Sequence, residues 1–94
     1  MPLHQTIRTV SETKDFSSQK EKLKIDARCL DEVLFGVTWA LARKPEIFPV
    51  VVLKPHKISV IKTDRTKTIP ALRIFFSFDE NKVKMLWLEE ISQD

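Results

Sequence analysis

The chain has 94 residues, of which 43% are hydrophobic and 31% charged, with a formal net charge of +3 and a pI near 9.2. This length builds one hydrophobic core and not two, and the apolar content is too high for a disordered tract. A single cysteine, Cys29, rules out an internal disulfide, a single glycine rules out a Gly-rich phosphate loop, and no apolar run approaches the roughly 20 residues of a membrane-spanning helix.

The N-terminus lacks a basic start followed by an apolar stretch, so the expected location is the cytoplasm. The expected organisation is a single domain over residues 1–94, with 1–25 the least patterned part. Residues 5–10 alternate as Gln5, Thr6, Ile7, Arg8, Thr9 and Val10, which predicts a short edge strand. Residues 11–24 are polar, with Phe16 and Leu23 spaced for one face of a short helix that adds little apolar area. The clearest helix covers 27–44, where Leu30, Val33, Leu34, Val37 and Leu41 recur on one face. Asp26 is placed to cap it, and Arg43 and Lys44 sit at the negative end of its dipole before Pro45 stops it. Phe35 and Trp39 form an adjacent stripe expected in the core. Gly36, costly by about 1 kcal/mol in a helix interior, predicts close approach by another element.

Pro45, Pro49 and Pro55 punctuate an extended segment at 46–54. Residues 57–63 then alternate, with Ile58 and Val60 on one side and Ser59, Ile61 and Thr63 on the other, and the polar stretch 64–68 connects to the next strand. Residues 72–78 and 82–90 form a hairpin about Asp79, Glu80 and Asn81. A turn centred on Glu80 and Asn81 pairs Phe78 with Val83, Phe76 with Met85 and Ile74 with Trp87, giving an apolar face on which the helix should sit. The strand period puts Arg73, Phe75 and Ser77 on the opposite face, against Leu88, Leu86 and Lys84. Arg73 thus stands in the most hydrophobic run of the chain and faces away from the helices. Basic residues concentrate nearby: Lys54, His56, Lys57, Lys62, Arg65, Lys67 and Arg73 are opposed only by Asp64, whereas Glu89, Glu90 and Asp94 make the C-terminal end acidic.

In order and spacing, the segments 39–45, 58–63, 69–76 and 83–91 resemble the RelE/ParE-type toxins of bacterial toxin-antitoxin modules. The central match is Arg73, Ile74, Phe75 and Phe76 to the family's Arg-Val/Ile-x-Tyr strand, followed by an Asp-containing turn. The resemblance implies an α+β fold with an N-terminal strand and helices packed on one face of an antiparallel β-sheet. It also implies a toxin that inhibits translation by ribosome-dependent cleavage of mRNA, in which a ribose 2′-hydroxyl attacks the adjacent phosphate. Arg73 carries over as the residue that holds phosphate oxygens and offsets charge in the transition state, and Lys62 matches the family's basic position on the preceding strand. His56 is a candidate acid or base, and charge distribution adds Lys54, Lys57, Arg65 and Lys67 as RNA-positioning groups. The implied partners are an antitoxin, the ribosome and mRNA, with a homodimer also open. No metal or other cofactor is implied, because His4, Cys29 and His56 lack metal-ligand spacing.

The chain departs from the family in two places. It has no tyrosine, so Phe76 keeps the packing of that strand position and loses the hydroxyl. The stretch 88–94 carries Glu89 and Glu90 where active members have a basic or aromatic acid-base residue. One alternative is therefore a ParE-like gyrase inhibitor, or a catalytically inactive homologue acting as a protein-binding module. Another is a basic interaction domain in which Arg73 pairs with Glu89 or Glu90.

Overall fold

Two helices cover one face of a five-stranded mixed sheet in the computed structural model, which describes residues 7–91. In chain order the elements are β1 (Thr9–Glu12), α1 (Lys14–Lys22), α2 (Ala27–Arg43), a single 3-10 turn (Pro45–Ile47), β2 (Val50–Val52), β3 (Ile58–Lys62), β4 (Leu72–Phe78) and β5 (Lys82–Glu90). The strand order is β1-β5-β4-β3-β2, antiparallel throughout except that β1 lies parallel to β5. The sheet expected to be antiparallel is therefore mixed. The first strand runs at 9–12 where 5–10 was expected, and residues 5 and 6 of that expectation lie outside the described residues.

Local chemistry starts each helix. The Thr13 hydroxyl accepts the Phe16 N–H at 3.2 Å, and the Asp26 carboxylate accepts the N–H groups of Arg28 and Cys29 at 3.0 and 3.3 Å, which satisfies donors that have no partner inside the helix. Phe16 of α1 is fully buried, so this short helix supplies a central core residue where little apolar contribution was expected. From α2, Leu30, Leu34, Val37 and Leu41 join Ile61, Leu72, Ile74, Phe76, Val83, Met85 and Leu88 of the sheet in one cluster. Each such side chain taken from water contributes about 1.5–3 kcal/mol.

The second stripe of α2 is not in the core. Phe35 is 73% exposed and Trp39 is 55% exposed, because the first stripe already fills the space above the sheet. No element approaches Gly36 either: a Cβ added there would meet nothing within 4 Å.

The hairpin also departs from strict alternation. Phe78 pairs with Val83 and Phe76 with Met85 as expected, but Phe75 then pairs with Trp87 and Ile74 with Leu88. Leu86 is an extra residue on β5, a β-bulge that shifts the register by one. Leu88 consequently enters the core while Trp87 turns to the open face, 40% exposed. The turn sets the register at one end of the ladder and burial sets it at the other, and the bulge reconciles them. It is tied to the helix layer, since the Thr13 hydroxyl also lies 3.2 Å from the carbonyl oxygens of Met85 and Leu86.

Candidate nucleic-acid interface

The sheet face opposite the helices presents side chains in cross-strand rows. Lys62, Arg73 and Glu89 form one row, and Val60, Phe75 and Trp87 form the next. Further along, Ser77 pairs with Lys84. The bulge thus places Arg73 opposite Glu89, where unbroken alternation had placed Leu88. Val60 is 4% exposed yet lies outside the helix-side cluster, so its row has an apolar floor of its own.

Arg73 is half-buried, and its Nε is fully buried without a hydrogen-bond acceptor. Leaving such a donor unsatisfied costs about 1–3 kcal/mol, so this N–H would donate to any anionic or carbonyl oxygen that reaches it. Glu89 stands opposite but does not come within ion-pair distance; ion pairs among the described residues include Arg8–Glu46 at 3.6 Å and Lys20–Glu12 at 2.9 Å, and none involves Arg73. Glu90 alternates to the helix side. Among the described residues, then, Arg73 forms no ion pair with Glu89 or Glu90.

About 13 Å along β4 at the usual strand rise, His56, Lys57, Ser77, Lys82, Lys84 and Leu86 line a cleft of about 480 Å³. Asp79 stands at its edge. The backbone N–H groups of Asn81 and Lys82 donate to Asp79 Oδ1 at 2.7 and 2.8 Å and hold its carboxyl below the usual carboxylate range. That carboxylate is committed to the turn, which leaves the three lysines and His56 to set the character of the cleft.

The structure therefore brings Arg73 and Lys62 together, and separately His56 and Lys57. His56 does not converge on Arg73. Lys54 is exposed in the connection from β2 to β3 and lines neither group. Arg65 and Lys67 line a different cleft of about 260 Å³ with Lys24, Ile25 and Glu90, toward the helix side of the loop between β3 and β4. Sequence reasoning passed over Lys82 and Lys84, although their alternation with Val83 and Met85 already places them on the open face. It also missed Trp87 and the position of Glu89, because nothing in the spacing announces the bulge.

No helix among the described residues is long and apolar enough to cross a membrane. Comparison with protein-family models, with curated proteins and with solved structures returned no match.

Proposed function

We propose that the chain is a RelE-type toxin that binds single-stranded mRNA on its open sheet face and cleaves it on the ribosome, with an antitoxin segment covering that face when the toxin is held inactive. The observation that carries this reading is Arg73: a half-buried arginine on the sheet face opposite the helices, whose Nε has no acceptor among the described residues, next to an exposed tryptophan. A guanidinium fork matches two phosphate oxygens, and Trp87 offers a ring on which an unpaired base stacks, a contact worth about 1–3 kcal/mol per base. The lysines of the neighbouring cleft extend the positive track along the strand.

The Arg73 row also supports the chemistry. A 2′-hydroxyl oxygen bonds to the adjacent phosphorus while the bond from phosphorus to the 5′-oxygen breaks. Glu89 accepts the 2′ proton, the Lys62 ammonium protonates the leaving 5′-oxygen, and Arg73 stabilises the extra negative charge on the phosphoryl oxygens. His56, in the adjacent cleft, is assigned to RNA positioning in place of proton transfer. The target places the protein in the cytoplasm.

Induced expression tests the proposal: growth arrest with cleaved messages is expected, and Arg73→Ala should relieve both while the protein remains folded. Normal growth and intact messages would reject the nuclease. Trapped DNA breaks with intact mRNA would replace it with the ParE-like gyrase reading.

A further inference from the structure

The outer face of α2 carries two large aromatic side chains that are exposed among the described residues. Phe35 and Trp39 stand out from it, Gly36 leaves bare backbone beside them, and the Arg43 guanidinium lies 4.1 Å from the centre of the Trp39 ring while donating to the Trp39 carbonyl at 3.1 Å. Residues four apart on a helix are neighbours on its surface, and aromatic side chains are enriched at protein interfaces. The flanking charges say which partner. Glu32 flanks the aromatics on the N-terminal side and Arg43 on the C-terminal side, on the same exposed stripe and equally far from the level of Val37 and Thr38.

We infer that α2 pairs antiparallel with α2 of a second copy of this chain, about a twofold axis at the level of Val37 and Thr38. A twofold contact must be its own complement. This one is: Glu32 of each copy meets Arg43 of the other, and Trp39 packs beside its counterpart and over the gap left by Gly36. The opposed helix dipoles favour the same direction. The contact area of one helix pair lies at the small end of specific interfaces, so the dimer forms in a concentration-dependent way. Because α2 lies on the helix side of the sheet, both Arg73 faces stay open in the pair, and the inference stands independently of the RNA reading.

Sedimentation velocity over a range of protein concentrations tests it on the full chain. The wild type should shift from monomer to dimer, and Glu32→Arg should raise the dissociation constant about tenfold or more by setting like charges opposite each other. Arg43→Glu should do the same, and an equimolar mixture of the two variants should regain the dimer, since each then supplies the charge the other needs. Gly36→Gln, for which the monomer has room, should block the seat of Trp39 with no loss of helical circular dichroism. A wild type that stays monomeric at millimolar concentration overturns the inference, as does a dimer indifferent to Glu32→Arg and Gly36→Gln. Failure of the mixed variants to associate overturns the assigned pairing.

Discussion

The two faces of the β4–β5 ladder are built from adjacent residues of the same strands and behave oppositely. On the covered face Leu72, Ile74, Phe76, Val83, Met85 and Leu88 are all 3% exposed or less. On the other, Arg73, Phe75, Ser77, Lys84, Trp87 and Glu89 retain contact with solvent. Close packing dictates the first set, because a void or a misplaced ring there is felt throughout the core. The second set is freed from that demand and can hold a guanidinium with no ion-pair partner among the described residues. The bulge at Leu86 sorts them, passing Leu88 inward and Trp87 outward.

Neighbouring substitutions on β5 probe that sorting most strongly. Leu88→Ala should cost about 2–5 kcal/mol in urea unfolding, whereas Trp87→Ala should cost about 1 kcal/mol despite removing the larger side chain. The reverse order would restore the unbulged register, with Trp87 in the core. Thr13→Val comes next, at about 1–2 kcal/mol, since it removes both the cap of α1 and the hydroxyl that reaches the bulge carbonyls. A negligible change in the unfolding midpoint would show that the bulge is held by burial alone.

Arg73→Ala should alter stability by about 1 kcal/mol or less, because no partner charge is left behind, while fluorescence anisotropy with a short single-stranded RNA should show weaker binding. A stability loss of about 3–5 kcal/mol would instead reveal a desolvated pair and merge the two faces into one structural unit. The smallest effect concerns the turn that joins the strands. The folded-state pKa of Asp79 is depressed, so its contribution is present in full above the unfolded carboxylate value and fades as pH falls through the folded one. The Tm difference between wild type and Asp79→Asn should therefore narrow below about pH 4. A difference unchanged across that range would assign the turn's stability elsewhere.

Much of the fold can be read from local pattern. The spacing of Leu30, Leu34, Val37 and Leu41, the Asp26 cap and the stop at Pro45 locate α2, and the hairpin turn fixes the pairs nearest to it. What pattern could not supply was competition for space. Phe35 and Trp39 have helical spacing as good as the core stripe, but only one stripe fits over the sheet. Alternation likewise cannot count an inserted residue, so Trp87 was assigned to the wrong side and Glu89 was not placed beside Arg73. The placement of Arg73 on the face opposite the helices followed from period alone. The separation of His56 from Arg73, and of Arg65 and Lys67 from both, depends on how loops leave the strands and is not written in composition.

The parallel seam between β1 and β5 joins the first and last strands of the described residues, with Thr9 beside Lys82 and Glu12 beside Met85. A contact of such sequence separation closes late in folding. While a ribosome is still making this chain, β1 has no edge to dock on, and Thr13 has no carbonyls to anchor the first helix. Completion of this sheet is thus postponed until β5 has left the exit tunnel, so β1 and the first helix of a nascent copy stay unanchored while residues 13–82 are being made.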